Sequence, residues 1–150
     1  MKKVLMIFTC ILFLCGCDYD FRLYLDNQTS DTLCVYLALD FETAYPDTTL
    51  PIDPNRACLA TALPHEKTLA FMTNAKGENI IKNLPQETLS VFIIHADTLL
   101  KYTWQEIRDD YKILSRYDLS LKDLQMLNFT IPYPPTEAMK NMKMYPPYED

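Results

Sequence analysis

Two glycines occur in 150 residues, Gly16 and Gly77. Glycine reaches positive φ at no steric cost and lets a second backbone or a phosphate come close, so a chain this poor in it must turn by other means. Nucleotide sites built on glycine-rich loops are excluded on this ground. The turns are expected from Pro, Asn and Asp. The chain's 10 prolines and clusters such as Asn27-Gln28-Thr29-Ser30-Asp31 and Asp47-Thr48-Thr49 fit that expectation.

Gly16 belongs to a segment set apart from the rest. Lys2 and Lys3 give a positive start, and residues 4–14 are apolar except for Thr9. Such a run is too short to span a bilayer, which takes about 20 apolar residues, and reads as the core of a secretory signal peptide. Leu14-Cys15-Gly16-Cys17 resembles the lipobox of bacterial lipoproteins. The resemblance implies that residues 1–16 are removed and that Cys17 is acylated. Each buried acyl CH₂ is worth about 0.8 kcal/mol, so two or three chains hold a protein firmly at a membrane surface. Residues 17–133 are then expected to form one domain, with residues 134–150 as a Pro-, Tyr- and Met-rich tail.

Removal of residues 1–16 takes Lys2 and Lys3 with it and leaves 12 basic against 20 acidic residues, a formal charge of −8. That balance argues against nucleic acid as a partner and against a polybasic grip on anionic lipid. Of the remaining cysteines, Cys34 and Cys58 lie in what would be an oxidising compartment, where a disulfide between them is a natural expectation. It would contribute roughly 3–4 kcal/mol in the chain-entropy picture. Two buried thiols are the alternative, since free Cys packs as a small hydrophobe. The cysteine spacing contains no CxxC, and no metal or other cofactor is expected.

Alternation with period two marks strands at residues 20–26 and 32–39, read together as a hairpin with a five-residue loop. Residues 40–55 read as a proline-rich loop, 56–63 and 67–72 as further strands, and 74–77 as a turn. Residues 78–84 fit either a strand or a short helical turn. Residues 89–95 (Leu-Ser-Val-Phe-Ile-Ile-His) are the most apolar run and the candidate central strand. The period then changes: Trp104, Ile107, Tyr111 and Leu114 form one helical stripe, opened by a Thr103–Glu106 capping box. A second short helix begins at Ser120, with Asp123 three residues on and Leu121, Leu124 and Leu127 inward. Residues 128–133 return to alternation. The expected fold is α+β, an antiparallel β-sheet or small β-sandwich with two short helices before the last strand. In the tail, Tyr133-Pro134-Pro135 recurs as Tyr145-Pro146-Pro147. Pro-Pro favours an extended segment, either strapped over the domain or serving as a docking peptide.

Residues 90–94, 97–99, 102–107, 116–119 and 133–135 carry a pattern similar to short uncharacterised lipoproteins of Bacteroidales-type anaerobes, over roughly the C-terminal third of the chain. The resemblance implies an envelope location and no known activity. Asp31-Thr32, Asp47-Thr48 and Asp97-Thr98 resemble O-glycosylation sites of exported proteins in such organisms, which would place glycans on Thr32, Thr48 and Thr98. Turn chemistry accounts for Asp-Thr equally well.

No catalytic set stands out. His95 with Asp97 is a weak candidate for a base or metal pair, and His65 has no partner at recognisable spacing. Glu106, Asp109 and Asp110 read as a solvated helix face, since adjacent helix residues point apart. Trp104 is either core or a sugar platform. Arg116-Tyr117-Asp118, expected between the two helices, reads as structural, with Arg116 bonded to Asp118 or to helix-end carbonyls. The expected function is that of a non-enzymatic envelope lipoprotein, anchored by lipid and meeting another envelope protein. The alternative is an accessory that binds a glycan or peptide in a groove edged by tyrosines. The outer membrane is the favoured address. Asp18 and Asp20 leave the leaflet open.

Overall fold

The computed structural model describes residues 21–39, 45–53, 55, 60–73 and 76–149. The fold is α+β, with two mainly antiparallel sheets and short helices. The strands are β1 (Phe21–Asn27), β2 (Leu33–Ala38), β3 (Ala60–Ala62), β4 (Lys67–Thr73), β5 (Thr88–His95), β6 (Ser115–Ser120), β7 (Thr130–Tyr133) and β8 (Lys143–Tyr145). The helices are α1 (Gly77–Asn83), α2 (Ala96–Lys101), α3 (Trp104–Asp109) and α4 (Leu121–Met126). One sheet has the order β4-β1-β7, with β1 and β7 parallel; the other has the order β3-β2-β5-β6-β8, antiparallel throughout.

The central strand β5 is buried along residues 88–94, and the two faces of its sheet explain why. Leu89, Val91 and Ile93 join Leu33, Val35 and Leu37 of β2 in the main core, where Leu23 and Leu25 of β1 and Ile131 of β7 meet them. Phe92 and Ile94 point the other way. They form a second cluster with Tyr36, Leu50 and Ile107, against which Trp104 and Tyr111 pack. A strand covered on both faces reads as a continuous apolar run, as residues 89–94 do. The three-stranded sheet, the five-stranded sheet and a layer of α2, α3 and residues 45–53 thus stack in that order.

The hairpin expected from residues 20–39 does not form. β1 pairs with β4 and β7, and β2 pairs with β3 and β5, so the intervening turn carries the chain from one sheet to the other. Asn27, fully buried, holds the crossing. Its amide nitrogen donates to the carbonyls of Asp31 (2.8 Å), Ala62 (3.2 Å) and Leu63 (2.9 Å). Its Oδ1 accepts from the Thr29 backbone N–H (3.0 Å) and hydroxyl (2.8 Å). These bonds satisfy groups that a hairpin ladder would otherwise pair.

The stripe expected to form one helix is divided between two faces. α3 stops at Asp109, Tyr111 adopts a φ of 50°, and the Leu114 N–H already donates to Ile93 of β5. Trp104, Ile107 and Tyr111 pack on the outer cluster, and Leu114 packs on the main core. Arg116-Tyr117-Asp118 therefore lies in β6, beside the central strand, and not between helices. Residues 96–101, where Asp97 pointed to a turn, form α2, and residues 78–83 fall within α1. The Ser120–Asp123 capping box opens α4 as expected, with Leu124 and Leu127 buried. Residues 134–149 contribute the buried Met139 and Met142 and the edge strand β8.

Gly77 serves close approach. A Cβ there would lie 1.8 Å from the Phe21 ring, so α1 can start against β1 only without one. Among the described residues the positive-φ positions instead fall on His65, Gln86, Glu87, Tyr111, Asn128 and Phe129. Only Asn128 is of the type expected from the sequence.

Candidate functional site

β6 alternates Tyr117 and Leu119, which enter the main core, with Arg116 and Asp118, which face outward. Strand register then sets two rows across the outer face: Ser90, Asp118 and Lys143 in one, Phe92, Arg116 and Tyr145 in the other. In the first row Asp118, 5 % exposed, accepts from the Ser90 hydroxyl at 2.7 Å and from Arg116 Nε at 3.2 Å. Arg116 extends the network, since its Nη1 donates to the Tyr111 hydroxyl (2.6 Å), which donates to the Thr48 carbonyl (2.8 Å). Such linked charge-assisted bonds fix one another's geometry in a poorly hydrated setting.

Aromatic rings frame these charges. The Tyr145 ring meets Tyr111 edge-on with centroids 5.6 Å apart, and the Arg116 guanidinium carbon is 5.9 Å from the Tyr145 centroid. Lys143 Nζ donates to the Tyr45 hydroxyl at 2.7 Å, which holds the ammonium pKa above its usual value. Burial raises the Tyr111 phenol, against the opposing pull of Arg116. Between them opens a cleft of about 480 Å³, lined by Tyr45, Arg116, Asp118, Lys140, Lys143 and Tyr148 among others. The volume lies in the range of small-molecule sites, but the walls are more polar than usual for them. Three cations face one carboxylate, and that carboxylate is already bonded to Ser90 and Arg116. In a chain of net charge −6, this is a local reversal of sign.

A smaller hollow of about 350 Å³ lies between residues 48–50 and α3. Its walls are tied together: Trp104 Nε1 donates to Pro51 O (2.8 Å) and Arg108 Nε to Leu50 O (3.1 Å). Trp104 is half-buried against the outer cluster with its N–H used in this way, which makes it part of the clamp on residues 48–51.

The remaining candidates are scattered. Cys17 and Cys58 lie outside the described residues, and Cys34 is buried on β2 opposite Ile94 and Thr61. Thr32, Thr48 and Thr98 are each half-buried. The Asp47 carboxylate accepts from the Thr49 N–H at 2.8 Å, as turn chemistry predicts. His95 and Asp97 do not face each other as base and acid: His95 Nδ1 accepts the Asp97 backbone N–H (3.1 Å) and caps α2. His65 sits exposed in the β3–β4 turn. Glu106 closes the Thr103 capping box, whose backbone and hydroxyl donors lower its pKa. Asp109 accepts from Gln105 (2.7 Å) and Asp110 pairs with Lys112 (2.7 Å). Among the described residues no three His, Cys, Asp or Glu side chains gather as a metal site.

Sequence reasoning reached the Arg116–Asp118 bond but missed Ser90, Tyr45, Lys143 and Tyr148 beside it. The alternation across residues 115–119 was the available signal. Comparison with protein-family models, characterised proteins and solved structures gives no match.

Proposed function

We propose that this chain is a lipid-tethered, non-enzymatic binding module of the cell envelope, and that the tyrosine-walled cleft at β6 and β8 is its binding site. The observation that carries the reading is the cation-rich cleft on an acidic chain, with Arg116 held in place by Asp118 and Tyr111. A ligand with a carboxylate or phosphate beside a flat sugar or aromatic face matches that chemistry, because guanidinium takes planar anions and tyrosine faces take rings. The anchor rests on the lipobox-like Leu14-Cys15-Gly16-Cys17; among the described residues no helix is long and apolar enough to cross a membrane. The cleft favours ligand capture over a purely structural role, because it brings Tyr45 and Tyr148 together with Arg116 and Lys143 at one edge of the sheet.

Amide chemical-shift mapping of the mature protein tests the site, with an oligogalacturonate and an aspartate-rich peptide as probes. Saturable shifts confined to residues 116–118 and 143–148, lost in a Lys143→Ala/Tyr148→Ala double variant, are expected with one of them. Flat spectra with both probes, or shifts that survive the double variant, would refute the cleft. Intact mass reads the anchor separately, since a mature chain without acyl mass on Cys17 removes it. Protease shaving of intact cells then reports the leaflet.

A further inference from the structure

The cleft at β6 and β8 has a backbone side as well as a charged side. Lys143 faces outward with Arg116 and Asp118, whereas Met142 is buried in the main core and Met144 packs against it. Successive strand residues point to opposite faces, yet Met142, Lys143 and Met144 all line the cleft. The cleft therefore runs along the edge of β8 and not over one face alone. β8 is the last strand of its sheet, and beyond its pairing with β6 no backbone bond of residues 143–145 occurs among the described residues. Alternate residues of a paired strand aim their N–H and C=O to opposite sides, so at least one of the three presents both groups to the open side.

We propose that the occupant of this cleft is an extended acidic peptide segment, which adds to β8 as a further strand and sets a carboxylate beside Lys143 and Arg116. The inference rests on the cleft being the binding site and adds to it the class of ligand. An unpaired strand edge is read by another strand through backbone hydrogen bonds, and side-chain pockets supply the selectivity. In an antiparallel strand laid beside β8, the residue opposite Lys143 has its Cβ about 5 Å away on the same face. The charged lining there is Arg116, Lys140, Lys143 and Asp118, and Asp118 is already bonded to Ser90 and Arg116. Glu137 and Glu149 are exposed close by in sequence, but neither lines the cleft. The open edge is short, carries Lys143 and is followed at once by Pro146 and Pro147. Short length, lysine and proline are the means by which natural edges repel indiscriminate pairing. An acidic side chain in the incoming strand turns that lysine from a guard into a contact, which is how one partner is told from another.

The experiment titrates the mature protein, followed by amide shifts and hydrogen exchange, with a terminally blocked hexapeptide of alternating glutamate and threonine. Two further forms of the peptide, N-methylated on alternate residues in either phase, keep the charges and block one backbone edge each; oligogalacturonate is the fourth probe. The parent peptide is expected to bind, to slow exchange of at least one amide of residues 143–145 several-fold, and to lose affinity ten-fold or more in one of the N-methylated forms. Both N-methylated forms binding as well as the parent, unchanged exchange at residues 143–145, or saturable binding of oligogalacturonate alone would overturn strand addition and leave the cleft standing as a binding site. No shifts at residues 116–118 and 143–148 with any of the four probes would overturn both.

Discussion

The outer face of the five-stranded sheet has two halves that obey different rules. Under α2 and α3, Tyr36, Phe92, Ile94 and Ile107 form a closed apolar cluster. Farther across the same face, Arg116, Asp118 and Lys143 line an open cleft, with the buried Ser90 bonded to Asp118 beneath it. Both halves share β5, which gives Phe92 and Ile94 to one and Ser90 to the other, so the backbone does not explain the contrast. The cover does: helices and residues 48–51 seal one half, while the other is bordered by the short edge strand β8. The sealed half fixes the position of the sheet, and the unsealed half exposes polar groups held rigid by it.

That division can be broken from either side. Phe92→Ala in the closed half is expected to have the largest effect, a loss of about 3–5 kcal/mol of stability, because a fully buried ring leaves a cavity. Chemical denaturation measures it; a loss below about 1 kcal/mol would mean that the helical layer collapses freely onto the sheet. Asp118→Asn comes next, at roughly 2–3 kcal/mol, since it leaves a largely buried Arg116 without its carboxylate. If that variant were as stable as the wild type, the network would be solvated and the cleft less rigid than its geometry implies.

Tyr111 stands at the seam, with its ring in the closed half and its hydroxyl in the network. Tyr111→Phe should cost about 1 kcal/mol through lost hydrogen bonds. It should also blunt the alkaline fall in stability. Burial raises the phenol pKa above 10.0 in the folded protein, so the folded state binds that proton more tightly. Its contribution is complete below the unfolded value and is lost as pH rises through the folded one. Tyr117 and Tyr133 are raised by burial in the same sense, so some alkaline loss should remain in the variant. The smallest effect is expected of Lys143→Ala. An exposed contact adds little to stability, so its melting temperature should hardly move while ligand shifts at the cleft weaken. A large drop in melting temperature would assign Lys143 to the fold.

Much of the fold could be read from residue patterns, and what escaped did so for identifiable reasons. β5 announced itself because a strand buried on both faces has no alternation to obscure it. The capping boxes at Thr103 and Ser120 were legible because they depend on side chains only three residues apart. Pairing was not legible: β1 alternates as a hairpin strand would, and nothing within residues 20–39 reports that its partners are residues 67–73 and 130–133. β6 was hidden because the helical spacing of Trp104, Ile107 and Tyr111 continues by chance to Leu114, and no glycine marks the reversal at Tyr111. The site was half visible for the same reason. Arg116 and Asp118 are neighbours in sequence, whereas Ser90 and Lys143 reach them only through the register of β5 and β8.

The crossing held by Asn27 has a temporal meaning. Because β1 and β2 part company there, neither sheet can be completed from local sequence. The first waits for residues 130–133 and the second for residues 143–145. Contacts of such long span are slow to form, and here the chain must be nearly finished before they can form at all. A polypeptide wired in this order keeps both sheets open at one edge until residues 130–145 arrive, so its rigidity comes late and all at once.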